Sequence, residues 1–209
     1  KGAVDKLDHV VIAIPATKTL RSWPSFPYAD MLKQRWQRAG RKRDSNSALT
    51  TELPNRRGTR ATFTAINHEI NSFALLSLAR ELVAPHLEED TATLTVALAG
   101  LDGAAAARVA DALAAAAAAA VGEMPSFKRQ AARPKRLRLL EFYGLEETVD
   151  LSRTLAAAEG NNLARRLTTL PPNKLTPGDY RAAVHDLAQE MGWEMTFLDL
   201  KALERKRAG

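Results

Sequence analysis

The chain has 209 residues, 45% of them hydrophobic and 26% charged, which suffices for one large domain or a medium domain with an appendage. It contains no cysteine, so disulfides, thiolate metal sites and a cysteine nucleophile are excluded, as is typical of a reducing compartment. The formal net charge is +6. We identify no apolar run of the roughly 18 residues that a membrane span needs, and therefore expect no membrane partner.

The first part of the chain alternates between strand-like and helix-like segments. Val10 to Ile14 is a continuous apolar run before a proline, which predicts a strand covered on both faces. Tyr28 to Ala39 predicts a short helix that ends at a glycine. Residues 41–57 are basic and polar and predict an exposed loop. Thr59 to Ile66 alternates in the manner of a second strand.

The next segments continue this alternation. Ser72 is expected to cap a helix that ends before Pro85, and Leu94 to Leu98 predicts a strand. Asp102 then caps a predicted helix reaching residue 121. Thirteen of the seventeen residues from 104 to 120 are alanine, which favours a helix lying close to a sheet. Leu137, Leu139 and Phe142 mark a fourth strand.

The order β-α-β-α-β-α-β predicts an α/β fold, a mainly parallel sheet flanked by helices. After Gly144 the pattern is purely helical and runs to the helix-stopping pair Pro171-Pro172, with Asp150 as a predicted N-cap. We therefore predict an N-terminal α/β domain over 1–145, a linking helix over 146–172 and the beginning of a second domain over 173–209.

The last segment predicts an incomplete second α/β domain. Thr176, with proline next and Asp179 third, has the pattern of a capping box that opens a helix. Trp193 to Phe197 alternates as a strand would, and Asp199 is expected to cap a final short helix. One strand with one helix cannot bury its apolar face alone, so this unit looks cut rather than finished.

A signature spans the end of the linking helix and the start of the next one. Its residues are Asn162, Arg165, Leu167, Pro171, Asn173, Thr176 and Pro177. In this register they resemble the segment at which the leucyl (cytosol) aminopeptidases pass from their N-terminal domain into their catalytic domain. The specific match covers about residues 159–209. Residues 1–145 agree in layout only, in which they are similar to macro domains.

The resemblance implies a cytoplasmic, homohexameric metallo-aminopeptidase that removes N-terminal residues from peptides. It implies two divalent metals, zinc, manganese or magnesium, which activate a bridging water. The family's metal-binding and catalytic motifs would follow residue 209, so no catalytic or metal residue is assigned to this chain and we expect it to be inactive alone. Its partners would be its own C-terminal catalytic domain and the other hexamer subunits, and residues 1–145 would support assembly and access to the active site.

Other candidate sites have simpler interpretations. His68 begins like the zinc-protease helix motif, but Ser72 stands where that motif needs its second histidine. His185 and Asp186 are helix neighbours that point about 100° apart, so we interpret them as surface residues. The turn Gly100-Leu101-Asp102-Gly103 leads from a strand into a helix N-terminus, where phosphate could bind, but Asp102 would repel an anion and favours capping.

Basic clusters predict an alternative function, DNA binding. The candidate contacts are Lys33, Arg35, Arg38, Arg41, Lys42 and Arg43. A few such side chains can follow a phosphate backbone and give salt-sensitive, sequence-independent binding. The competing interpretation is a solubilising charged surface, which the acidic residues interleaved through the chain favour.

Overall fold

The computed structural model describes residues 2–17, 22–41, 46–127 and 136–208. The chain divides into two compact units, residues 1–163 and residues 164–209. The domain limits expected from the sequence, 1–145, 146–172 and 173–209, stay a prediction, because compactness alone does not assign the linking helix to either domain.

The first unit is built on a five-stranded sheet in the order β2-β3-β1-β4-β5. The strands are β1 His9–Pro15, β2 Leu49–Glu52, β3 Arg60–Ile66, β4 Thr93–Leu98 and β5 Leu139–Tyr143. β1 is central and pairs in parallel with β3 and β4, and β4 pairs in parallel with β5. Only β2 is antiparallel, on β3. The predicted α/β class with a mainly parallel sheet is confirmed.

Six α-helices are found in the described part of the chain. They are α1 Ala29–Arg38, α2 Ser72–Glu88, α3 Gly103–Val121, α4 Ser152–Thr169, α5 Pro177–Met191 and α6 Leu200–Arg205. A single 3-10 turn, Val4–Lys6, precedes β1. The predicted helices near residues 28–39 and 104–120 therefore form within a few residues of their expected limits.

Each face of the sheet carries its own core, and β1 contributes to both. On the α1 side of the sheet, aromatic side chains pack against Val10, Ile12 and Ile14. Among them, Trp36 lies edge-on to Phe63 with ring centroids 5.2 Å apart. The intervening residues of β1 face the other way and pack with α2 and α3. Residues of a central parallel strand are covered on both faces, which explains why β1 is apolar at consecutive positions.

The alanine-rich helix α3 is a core helix of this unit. Eight of its residues are buried, with Val109 and Leu113 as the largest. By length and composition alone, α3 is the one helix in the described residues that could cross a membrane. Its burial against the sheet and α2, together with a charged residue at each of positions 108 and 111, is the pattern of a helix packed inside an α/β domain.

A glycine is required where β5 ends. Gly144 has φ +89°, a conformation that L side chains rarely adopt, and a Cβ there would lie 2.2 Å from the carbonyl oxygen of Leu98. The backbone at the end of β5 can approach β4 this closely only without a side chain. Gly144 therefore allows the last parallel pairing of the sheet and the turn that follows it.

Two predictions in the first unit were wrong. The 41–57 segment was expected to be loop throughout, but β2 forms within it because the edge of the sheet pairs with Leu49–Glu52. The helix from residue 72 was expected to end before Pro85, but α2 continues to Glu88, and its N-cap is Asn71, which accepts from the Ala74 N–H at 2.9 Å. Burial of His86 beyond the proline outweighs the one lost backbone bond.

The second unit is helical and has little buried interior. Thr176 and Asp179 form the predicted capping box of α5, and Asp199 caps α6 as expected. The segment Trp193 to Phe197, predicted as a strand, is not one, because no neighbouring strand offers it backbone hydrogen bonds. Ala188 is the one buried residue in α5, and α6 has none.

Candidate functional site

The signature segment begins on α4, where three positions spaced four apart meet α3. The Thr154 hydroxyl donates to the Asp111 carboxylate, Ala158 is buried, and the Asn162 amide donates to the carbonyl oxygen of Ala118 at 3.0 Å. Residues four apart lie above one another on one side of a helix. Asn162 thus satisfies a carbonyl in the last turn of α3, one of the four that a helix leaves without an internal partner.

The residue at the C-terminal end of α3 leaves space for this contact. Gly122 is its C-cap, and a Cβ at this position would lie 2.5 Å from the Asn162 side chain. A side chain here would displace the Asn162 amide, so Gly122 leaves space for this contact rather than supplying a special backbone angle. The sequence identified Asn162 only as a signature residue, and its contact with α3 could not be read from spacing.

The second half of the signature forms the turn into α5. After the two prolines, the N–H of Lys174 donates to the Pro171 carbonyl at 2.8 Å. Thr176 Oγ1 donates to Asp179 Oδ2 at 2.6 Å, and the Thr176 N–H donates to the same oxygen at 3.0 Å. These hydrogen bonds, the hydroxyl's first, lower the pKa of Asp179. The signature residues that the structure defines here cap and turn the chain.

The structure describes four of the six predicted DNA contacts, Lys33, Arg35, Arg38 and Arg41. Lys42 and Arg43 lie outside the described residues. Leu32 and Trp36 are the buried residues of α1, which places Lys33 and Arg35 on opposite flanks of that buried line. Lys33 also lies 3.7 Å from an Asp30 carboxylate oxygen.

Two of the six, Arg38 and Arg41, are exposed at the C-terminal end of α1. Neither forms an ion pair with any residue that the structure describes. The C-terminal end of a helix carries a partial negative charge, which stabilises cationic side chains there without any ligand. Their position is therefore compatible with both predicted interpretations, a DNA contact and a solubilising surface.

The other candidates take the simpler interpretation. The ring of His68 is 88% exposed and lies 3.8 Å from its neighbour Glu69, and His185 lies 3.7 Å from its neighbour Asp186. The Asp102 carboxylate accepts from the Ala105 N–H at 2.8 Å, so it already occupies the start of α3. Within residues 2–17, 22–41, 46–127 and 136–208, no three His, Cys, Asp or Glu side chains are grouped to hold a metal ion. We assign no metal ligand.

Sequence reasoning missed a buried histidine pair at the end of the sheet where β1 and β3 begin. His9 Nδ1 and His86 Nδ1 are 3.1 Å apart, although 77 residues separate them in the chain. On the far side of His86, Nε2 lies 2.9 Å from Thr62 Oγ1. On the far side of His9, Nε2 lies 3.9 Å from Glu89 Oε2. The only signal in the sequence was a histidine at position 86 on the apolar face of α2.

Burial sets the charge state of this pair. Desolvation, with smaller contributions from the neighbouring His9 and Arg60, lowers the pKa of His86 to about 3. Desolvation also lowers the pKa of His9, while the Glu89 and Asp8 carboxylates oppose that change. Both rings are therefore neutral at pH 7.

No protein-family model matches the chain. Two curated relatives, each named probable cytosol aminopeptidase and each from a strain of Prochlorococcus marinus, are 32% identical to it over 85 and 80 residues. These segments make up 40% and 37% of this chain but only 17% and 16% of the relatives.

Solved structures share the fold. A mutant of tomato leucine aminopeptidase matches with a TM-score of 0.72 at 19% identity, covering 100% of this chain and 45% of that one. The bottromycin maturation enzyme BotP, in complex with Mn, matches with a TM-score of 0.60 at 19% identity, covering 88% of this chain and 37% of that one. The chain thus spans less than half the length of these proteins.

The sheet order and the helices match the fold of leucine aminopeptidase. The named relatives and this fold together support a resemblance to the leucyl (cytosol) aminopeptidases, in the N-terminal portion of those proteins. The resemblance predicted from the signature residues is therefore confirmed.

If Asn162 holds the end of α3, replacing it with alanine will destabilise the first unit. We expect Asn162→Ala to lower the free energy of unfolding by about 1 kcal/mol, the value of one part-buried hydrogen bond. Urea denaturation followed by circular dichroism measures this. Asn161→Ala, an exposed neighbour on the same helix, is the matched control. Equal stability losses for the two variants would contradict the role of Asn162.

Proposed function

We propose that this chain is the N-terminal, non-catalytic part of a metal-dependent leucyl aminopeptidase, a cytoplasmic enzyme that releases N-terminal amino acids from peptides. The observation that carries the proposal is the fold match to tomato leucine aminopeptidase over the whole chain. The names of the curated relatives support a cytosolic aminopeptidase, and the Mn complex of BotP supports metal dependence.

In this proposal the first unit is a scaffold. Its sheet has a core on each face, so it holds its shape without contributions from other domains. A rigid α/β unit of this kind can position subunits and restrict the approach to an active site. We assign residues 1–145 a role in assembly of a homohexamer and in access of peptides to the catalytic domain.

The second unit supports a further part of the same proposal. Its exposed apolar side chains include Trp193, Phe197 and Leu200, which are 62%, 56% and 72% exposed. Burying each would contribute on the order of 2 kcal/mol, so three together approach the net stability of a small domain. We propose that the enzyme's own C-terminal catalytic domain covers them, and that two divalent metals, zinc, manganese or magnesium, are held by that domain.

A direct test is the hydrolysis of leucine p-nitroanilide by purified 1–209 in the presence of Mn²⁺, Zn²⁺ or Mg²⁺. We expect no hydrolysis above the background rate in buffer that contains the metal, because the described residues present no ligand set for a dinuclear centre. Metal-dependent turnover that co-purifies with 1–209 would overturn the non-catalytic assignment.

The scaffold role is tested in the full-length polypeptide, from which residues 1–145 are deleted. We expect native mass spectrometry to show loss of the hexamer, or peptide assays to show a changed preference between long and short peptides. An intact hexamer with unchanged rates on both peptide lengths would reject this role while leaving the family assignment in place.

DNA binding is a second candidate, favoured by the exposed Arg38 and Arg41 at the end of α1. If these residues contact phosphates, fluorescence anisotropy will show duplex DNA binding by 1–209 at low salt. We expect the double change Arg38→Glu and Arg41→Glu to weaken it and to reduce the slope of log affinity against log salt by about 2.

The control for this test is Arg153→Glu, a charge reversal on the exposed face of α4. This single change alters the net charge by two and the double change alters it by four, so the losses of DNA affinity are compared per unit of charge. Absence of binding at micromolar protein, or an equal loss per unit of charge from the control, would leave α1 as a solubilising surface.

A further inference from the structure

The histidine pair joins three elements at one end of the first unit. His9 is the first residue of β1, Thr62 lies in β3, and His86 lies in the last turn of α2. His86 is fully buried and the side chain of His9 is 10% exposed. A buried polar group must find a partner, and each ring finds one partner in the other ring.

The geometry limits how many protons the pair can hold. The two Nδ1 atoms face each other at 3.1 Å, so one of them must donate and the other must accept. If both carried a proton, two N–H groups would point at each other in a buried space. At most one proton can therefore lie between the rings, whatever the state of the two outer nitrogens.

The outer nitrogens can accommodate one additional proton. Thr62 Oγ1 can donate either to His86 Nε2 or to the carbonyl of Leu82, which lies 3.0 Å away. When His86 Nε2 is protonated, Thr62 turns to Leu82 and accepts from the ring instead. On the other side, a protonated Nε2 of His9 points towards Glu89. A pair with three protons on its four nitrogens thus keeps every hydrogen bond.

We propose that His9 and His86 form a proton-sensitive latch that holds the end of α2 on β1 and β3, accepts one added proton and opens on the second. Opening would release the last turn of α2, because protonating the inner nitrogens of both rings removes the hydrogen bond between His86 of α2 and His9 of β1. No catalytic role is needed for this device, and it is independent of the function proposed above.

Other charges at this end modulate the latch. Glu89 and Asp8 face His9 and favour its protonation, whereas Arg60 of β3 opposes protonation of both rings. All three of these charges are themselves paired, since Arg60 donates to Glu89 and Arg57 NH1 lies 2.5 Å from Asp8 Oδ1. The acidic groups are part-exposed, so solvent screens them and burial of the rings dominates.

The sign of the pH effect follows from proton counting. In the unfolded chain both histidines take up protons near pH 6.5, whereas folded His86 has a pKa of about 3. The folded state is therefore favoured above pH 6.5, and this advantage is lost as the pH falls from 6.5 towards 3. For each proton that only the unfolded chain binds, the unfolding equilibrium constant rises up to about tenfold per pH unit.

The chain has four histidines, which allows a direct test by NMR titration of the ring Cε1–H signals of 1–209. The exposed rings of His68 and His185 are internal references. In acid, we expect the folded-state signals of His9 and His86 to disappear before both rings show the chemical shift of a protonated imidazole. Long-range ¹H–¹⁵N spectra at neutral pH should show one protonated Nδ1 between the two rings. Independent titration of His9 and His86 alongside the references, or two protonated Nδ1 atoms, would overturn the proposal.

Denaturation experiments provide the second readout. His86→Gln keeps an amide beside Thr62 but cannot titrate. The unfolded chain of this variant takes up one proton fewer, so we expect the unfolding equilibrium constant to rise less steeply below pH 6.5 than in the unaltered protein. His185→Gln, at an exposed histidine, should leave the rise unchanged. An unchanged pH slope in a folded His86→Gln protein would reject the latch. If that variant does not fold, the NMR titration of the unaltered protein decides the question.

Discussion

The close packing of α3 is the constraint on which the first unit depends. Seven of its eight buried residues belong to the core shared with the sheet and α2, while positions on its other side receive Thr154 and Asn162 of α4. A helix covered from two sides can approach both neighbours only if its side chains are small. Alanine meets this need and is also the strongest helix former, so the segment is helical by propensity as well as by packing.

This packing accounts for the place of the family signature. The first part of the signature lies where α4 touches α3, and Asn162 caps the α3 carbonyl beside Gly122. The second part turns the chain through the two prolines into the capping box of α5. These residues therefore fix where one helix ends and the next begins.

The parts of the fold that local physics decides were predictable. The continuous apolar run of β1, the alternation of β3 and the alanine content of α3 each predict one element, and their order predicts a parallel sheet. The polar strand β2 was not predictable, because it forms by pairing with an existing edge. The same reason accounts for Trp193 to Phe197, which has strand periodicity but no strand to pair with.

The site was less predictable than the fold. The His9–His86 contact joins residues 77 positions apart, and the sequence signals only that His86 lies on the apolar face of α2. The exposure of Trp193, Phe197 and Leu200 was easier to predict, because the sequence of the last segment already indicated an apolar face that the segment cannot bury by itself. Contacts between residues distant in the sequence could be recognised only from the structure, whereas the exposed apolar side chains could be expected from the sequence.

In the proposed function, residues 1–163 are a self-sufficient scaffold and residues 164–209 rely on a partner domain for burial. Native-state hydrogen exchange of 1–209 tests it most directly, because amide protection reports the stability of each segment. The account predicts that amides of β1, β4 and α3 exchange only through global unfolding, while those of α5 and α6 exchange at rates close to those of an unfolded chain. Protection of α5 equal to that of β1 would contradict it.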